Sequence, residues 1–319
     1  MLETTFLNLK FKNPLLLASG VRGVTAASLR HMVKKGCGGV TLKSVSLQPR
    51  AGHPNPTMVS NRHFIINAIG LSNPGVDEIN TEITQFKKLC TAPLIASVFA
   101  GSVDEFVRVA EKICETNVDA LELNLSCPNV TAEFGEPFAY SIQAVAAVTK
   151  QVKAKITTIP LVVKLSPQAW NIAAIAKAAE DNGANAINAI NTISGMVIDI
   201  KARQPILHNK IGGVSGPALF PIALRCVHDI FKVVKIPIIG TGGITTWDDA
   251  IAMIMVGATL LGIGSAVYYR GQTPSQGERS DGEKPAVAVE SEPLLRVKTD
   301  GDQSLWRFPA AGRPRQLKQ

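Results

Sequence analysis

Aromatic residues are scarce in this chain, 5% of positions, and charged residues reach only 18%. Hydrophobic residues nonetheless make up 46%, which excludes disorder of the chain as a whole and fits an α/β enzyme rich in small aliphatic side chains. Cysteine is sparse and unpaired: Cys37, Cys90, Cys114, Cys127 and Cys226 are odd in number and form no CxxC motif. Neither a disulfide framework nor an all-protein zinc or iron–sulfur site is therefore expected, and a reducing cytoplasm is the expected home. No uninterrupted apolar stretch reaches membrane-spanning length, and Met1–Phe6 has no basic region leading into an apolar run, so neither a membrane anchor nor an export signal is expected. Dense basic runs are also missing. The net charge is +8 and the pI about 9.3, but Lys and Arg are scattered without interleaved aromatics, which argues against nucleic acid. A dispersed positive field suits the collection of small anions such as phosphates and carboxylates.

What is present centres on Leu121-Glu-Leu-Asn-Leu-Ser-Cys-Pro-Asn-Val130. Apolar and polar residues alternate from Leu121 to Leu125 and then stop, which predicts a strand running into a loop. A thiol, a hydroxyl and two carboxamides gather at the strand's end, a set that suits a polar heterocycle better than a metal. Taken alone, Asn124 and Asn129 could simply hold the turn and Cys127 could be a small buried hydrophobe.

The 319 residues could form one large barrel or two ordinary domains, and the order of elements decides between them. Leu2 to Phe11 reads as a short hairpin that could cap the N-terminal mouth of a barrel. Strands are predicted near Leu15, Val40, Leu94, Leu121, Leu161, Ile187, Ile238 and Leu260, with helices near 26–35, 103–115, 141–155, 170–182 and 247–256. Eight parallel strands with intervening helices specify a TIM (β/α)8 barrel. Lys43 and Lys164 fall on or at the ends of apolar strands, where a lysine needs an anionic partner or solvent. The segment from Val45 to Pro74 is a long loop rich in proline and glycine, and loops of that length are uncommon unless functional. Gly240-Thr-Gly-Gly243 and Gly262-Ile-Gly-Ser265 follow strands seven and eight, where barrels of this kind build a phosphate site from backbone N–H groups; tight turns are the plainer alternative. After Arg270 the composition turns polar with no amphipathic period. The expected division is thus a barrel over 1–271 and a poorly ordered tail over 272–319, with the eighth helix missing or replaced.

Asn124-Leu-Ser-Cys-Pro-Asn-Val130, Asn67-Ala-Ile-Gly-Leu71, Val163-Lys-Leu-Ser-Pro167, Ala189-Ile-Asn-Thr-Ile-Ser-Gly-Met196, Gly212-Gly-Val-Ser-Gly-Pro217 and Gly240-Thr-Gly-Gly-Ile244 occur in one order. In that order they resemble the class 1 dihydroorotate dehydrogenases, most closely the B-type catalytic subunits. The resemblance implies FMN across the C-terminal mouth of the barrel and oxidation of dihydroorotate to orotate in pyrimidine synthesis, with flavin N5 accepting the hydride. Cys127 matches the family's base, on a loop that closes on substrate. By the same resemblance Lys43 is catalytic and lies near both substrate and flavin. Asn67, Ile69, Gly70, Leu71, Asn124, Asn129, Asn191 and Thr192 would surround the substrate. Ala18, Ser19, Ser44, Asn124, Ile190, Ser215 and Gly216 would line the flavin, Lys164 would stabilise charge on its reduced N1–C2 edge, and Gly242, Gly243, Gly264 and Ser265 would hold its phosphate.

The resemblance further implies a partner subunit carrying FAD and an iron–sulfur cluster that passes electrons to NAD, in a heterotetramer. A fumarate-reducing homodimer of the A type, a dihydropyrimidine dehydrogenase-like flavoprotein and a non-catalytic FMN- or phosphate-binding barrel are the alternatives. The family continues from strand eight into a C-terminal helix, and the tail here departs from that pattern.

Overall fold

The computed structural model describes residues 2–125 and 138–271. A hairpin of β1 (Thr4–Phe6) and β2 (Leu9–Phe11) opens the chain. The first two barrel units are β3 (Leu15–Leu17) with α1 (Ala26–Lys34), then β4 (Gly39–Thr41), which is followed by a β5–β6 hairpin (Met58–Ser60, Ile65–Asn67) and α2 (Val76–Leu89). Next come β7 (Leu94–Val98) with α3 (Val103–Cys114), β8 (Ala120–Asn124) with α4 (Ile142–Lys155), and β9 (Leu161–Leu165) with α5 (Ile172–Asp181). β10 (Ala186–Ala189) leads into β11 (Ile193–Met196), β12 (Ile198–Asp199), β13 (Gln204–Pro205) and β14 (Ile211–Ser215) before α6 (Phe220–Phe231). Two units remain, β15 (Ile238–Thr241) with α7 (Trp247–Met255) and β16 (Leu260–Ile263) with α8 (Ser265–Gly271).

Strands β3, β4, β7, β8, β9, β10, β15 and β16 close into a parallel barrel, the eight expected from the apolar runs. Their side chains divide by parity. On β8, Leu121 and Leu123 join the large cluster between sheet and helices, whereas Ala120 points into the barrel with Leu16, Ile95, Val162, Ala186, Ile239 and Leu260. Phe6 and Phe11 complete that inner cluster, so the hairpin plugs the N-terminal mouth as expected. The two rings meet edge to face with centroids 6.2 Å apart. Phe11 also occupies the space a side chain would take at position 39, since a Cβ on Gly39 would lie 2.3 Å from its ring.

Helix starts follow local chemistry. Thr25, Ser102, Ser141, Asn171 and Thr246 each accept a backbone N–H of the first turn, the usual task of an N-cap. Two helices beyond those read from the sequence, α2 and α6, complete the alternation; α2 buries Val76, Ile79, Ile83 and Phe86 at helical spacing. The long segment after β4 differs from a plain loop. Its strands β5 and β6 pair with β14, and β14 with β11, giving a four-stranded antiparallel sheet from insertions that leave the C-terminal ends of β4 and β10. A seven-residue helix, α8, does follow β16, and the expectations for 272–319 lie outside the described residues. No helix among the described residues is long and apolar enough to cross a membrane.

Two measurements test this architecture. Phe11→Ala should lower the unfolding free energy by about 3–5 kcal/mol in urea titration, because it empties a fully buried ring site. At the start of α7, burial pushes the Asp249 carboxyl up, but N–H groups of Thr245 and Thr246 and their hydroxyls outweigh it and hold the group below its ordinary range. A depressed folded-state value stabilises above the unfolded value and is lost as pH falls through the folded one. Asp249→Asn should therefore cost about 1 kcal/mol at pH 7, and the difference should shrink as acidification protonates the carboxyl in the folded protein.

Candidate active site

All eight barrel strands deliver their C-terminal ends to one mouth, and the residues there are polar. They form one connected path. Ser19 Oγ lies 3.1 Å from Ser44 Oγ, Asn124 Nδ2 donates to Ser44 Oγ at 3.0 Å, and Asn191 Nδ2 donates to Asn124 Oδ1 at 3.2 Å. Asn191 Oδ1 in turn accepts the Thr192 N–H at 2.8 Å. Thr192 packs so closely on Gly213 that a Cβ there would sit 2.2 Å from its hydroxyl, and Asn67 Nδ2 donates to the Gly213 carbonyl at 3.4 Å. Ser19, Ser44, Asn67, Asn124, Asn191 and Thr192 are thus brought together from five separate stretches of chain.

The glycine loops meet on the other side. A Cβ on Gly264 would contact Ala18, one on Gly242 would lie 3.4 Å from Ile190, and one on Gly243 would lie 2.7 Å from the Gly216 carbonyl. Gly243 also has φ +71°, a left-handed conformation that favours glycine, beside the Phe220 N–H. Ser215 follows in β14, its hydroxyl donating to the Ile65 carbonyl at 3.4 Å. Ser265 starts α8. Ile69, Gly70 and Leu71 lie in the segment after β6, where the Ile69 carbonyl accepts the His53 N–H at 3.1 Å. Cys127 and Asn129 lie outside the described residues.

The two lysines stand apart from this hydrogen-bonded set. Lys164 is 5% exposed, and among the described residues its amine meets no hydrogen-bond or ion-pair partner. Lys43 is half-buried, and burial pushes its amine below the ordinary lysine value. Buried amines without counter-charges are costly, so this donor set fits a ligand with anionic oxygens or an electron-rich ring edge. Hydroxyls, carboxamides and glycine loops around them fit a polar heterocycle bearing a phosphate. Among the described residues no group of His, Cys, Asp and Glu could hold a metal ion.

One layer below the mouth lies a set that the motifs did not single out. Ser97, Glu122, Asn188 and Thr241 are buried inside the barrel, joined by bonds of 2.8 Å from Ser97 Oγ to Glu122 Oε1, 2.6 Å from Asn188 Nδ2 to Glu122 Oε2 and 2.8 Å from Thr241 Oγ1 to Asn188 Oδ1. Polar residues at alternate positions of parallel strands, which are normally apolar throughout, are the sequence signal that marks them.

The model of the dihydroorotate dehydrogenase family matches residues 1–276. The chain is 46% identical over 271 residues to the dihydroorotate dehydrogenase B (NAD(+)) catalytic subunit of Pyrococcus abyssi, covering 85% of this chain and 89% of that protein. The subunit of the same name from Methanosarcina mazei is 44% identical over 267 residues, 83% of this chain and 84% of its own. That from Methanocaldococcus jannaschii is 43% identical over 277 residues, with 85% and 89% covered.

Two of the described thiols, Cys37 and Cys114, are poor candidates for proton transfer. Burial pushes Cys37 up to about 12, against a small opposing effect of Lys12, and pushes Cys114 up to about 11. In the native protein at pH 8, iodoacetamide should alkylate these two at least about a hundredfold more slowly than in the urea-unfolded chain, followed by mass spectrometry of their peptides.

Proposed function

The chain belongs to the dihydroorotate dehydrogenase family, and from that premise we propose that it oxidises dihydroorotate to orotate in pyrimidine synthesis, using FMN at the C-terminal mouth of the barrel. The names of the relatives favour the B type, so electrons pass to NAD through a partner subunit carrying FAD and an iron–sulfur cluster. The observation that carries the reading is the continuous polar path from Ser19 to Asn67, beside the buried amine of Lys164, which meets no partner among the described residues, and the half-buried amine of Lys43.

Bound flavin supplies the two-electron acceptor. The chain's own residues bind, orient and move a proton. Asn67, Asn124, Asn129, Asn191 and Thr192 offer carboxamide and hydroxyl groups that match a ring with both imide donors and carbonyl acceptors. Lys43 answers the substrate's carboxylate; a buried amine with few competing partners interacts strongly with an anion. Cys127 Sγ takes the proton from C5 of dihydroorotate. Lys164, a buried amine, would hold the flavin and supply positive charge beside it, a preorganised electrostatic role. Ala18, Ser44, Ile190, Ser215 and Gly216 would line the flavin ring and its side chain, while Gly242, Gly243, Gly264 and Ser265 would offer backbone donors and close approach to its phosphate.

An anaerobic absorbance spectrum tests this reading. The purified protein should be yellow and should bleach on adding dihydroorotate; a yellow protein that keeps its colour would exclude this substrate. Cys127→Ala should retain the flavin but slow its reduction by about 10²–10⁴-fold at neutral pH in stopped-flow absorbance, and unchanged kinetics would remove Cys127 as the base.

A further inference from the structure

We propose that Glu122, which touches neither substrate nor flavin in the reading above, is a positioning residue that sets the direction of the hydrogen bonds reaching Asn124 and Asn191. The inference rests on that functional reading and deepens it. Its basis is a count of protons. Glu122 is 0% exposed and both its carboxyl oxygens accept, Oε1 from Ser97 Oγ and Oε2 from Asn188 Nδ2. Ser97 has one hydroxyl proton and must give it to Glu122. In the 2.8 Å contact between Ser44 and Ser97, Ser44 is therefore the donor. Ser44 has then used its own proton, so its oxygen must accept from both remaining neighbours, Ser19 Oγ at 3.1 Å and Asn124 Nδ2 at 3.0 Å.

The consequence reaches the mouth. With Nδ2 turned to Ser44, Asn124 presents Oδ1 to Asn191 Nδ2, and Asn191 keeps its own Oδ1 on the Thr192 N–H. One acceptor-only group thereby holds Asn124, which a rotation of 180° would otherwise exchange, in the orientation that suits Asn191, itself held by the Thr192 N–H. The second arm, through Asn188 to Thr241, ends inside the barrel and does not reach Asn124.

A neutral carboxamide at position 122 removes the constraint. If its amine faced Ser97, the Ser97 proton would turn to Ser44 and the Ser44 proton to Asn124. Asn124 would have to rotate to offer Oδ1, and its amine would then oppose the Asn191 amine. Asn191 cannot follow without losing the Thr192 N–H. A buried polar chain of this kind holds one arrangement only while every member is satisfied. Burying a carboxylate between neutral donors also adds nothing to stability that apolar packing could not supply, so its position above the inner cluster calls for a reason of specificity.

The test is equilibrium dialysis of labelled orotate against the flavin-loaded protein with its partner subunit, comparing wild type, Glu122→Gln, Ser97→Ala and Asn188→Ala. The orotate Kd should rise about tenfold in Glu122→Gln and in Ser97→Ala, roughly one hydrogen bond's worth. A variant combining Glu122→Gln with Ser97→Ala should be no worse than Ser97→Ala alone, because the arm is already cut. Asn188→Ala should melt earlier yet keep the wild-type Kd within about twofold, since Glu122 still orients the other arm. Wild-type affinity in both Glu122→Gln and Ser97→Ala would overturn the proposal. An Asn188→Ala variant as impaired as Glu122→Gln would do the same, reducing the effect to general packing. Should Glu122→Gln fail to fold, Ser97→Ala decides by itself. A wild-type protein that binds no orotate would remove the functional reading, and this proposal with it.

Discussion

Closure of eight strands into a ring with a single direction is the constraint on which the rest depends. Parallel pairing around the ring, from Leu16 beside Gly39 to Ile239 beside Leu260, puts every C-terminal end on one side. It also leaves no sheet edge within the barrel. Side chains of alternate residues are then forced into a narrow interior, where they stack in layers rather than line a pore. The N-terminal layer is apolar and sealed by Phe6 and Phe11, so water has no easy route from that end. Polarity can therefore be concentrated at the other end and in the layer beneath it.

That interior separates charge in a way that suits its proposed task. Glu122 and Lys164 both point inward on neighbouring strands, and Asn124 lies beside Lys164 in the pairing register. An ion pair between the carboxylate and the amine would neutralise the lysine and hide it from a ligand. Among the described residues none forms: Glu122 is satisfied by Ser97 and Asn188, and the Lys164 amine stays unpartnered. Neutral donors stabilise the carboxylate less than a cation would, but they leave the positive charge for the mouth. Burial also pushes the Lys43 amine below the ordinary lysine value.

The insertions finish what the barrel begins. Strand ends alone cannot supply Asn67 or Ser215, because both sit in the antiparallel sheet built from the segments after β4 and β10. Register fixes them: Asn67 opposes Gly213, and Ser215 opposes Ile65. Gly213 lets the sheet press against Thr192 at the end of β10, and Gly216 meets the loop at Gly243. Long-range pairing thus joins the carboxamide side of the site to the glycine side.

By itself the sequence determined the barrel and most of the mouth. Apolar runs of strand length at eight places, each ending in small or polar residues, leave few other folds open, and the Asn, Lys and Gly positions at those ends are legible because active sites of such barrels form there. Tertiary structure decided what no local pattern encodes. Val45–Pro74 reads as a loop because three-residue strands such as β5 and β6 carry too few residues to show a period, and their partner β14 lies far along the chain. Ser97, Glu122, Asn188 and Thr241 sit on four different strands, so their chain of bonds exists only once the barrel has closed. The direction of that chain is a property of the closed ring as well: a hydroxyl has one proton to give, and which neighbour receives it depends on groups that only folding brings within reach.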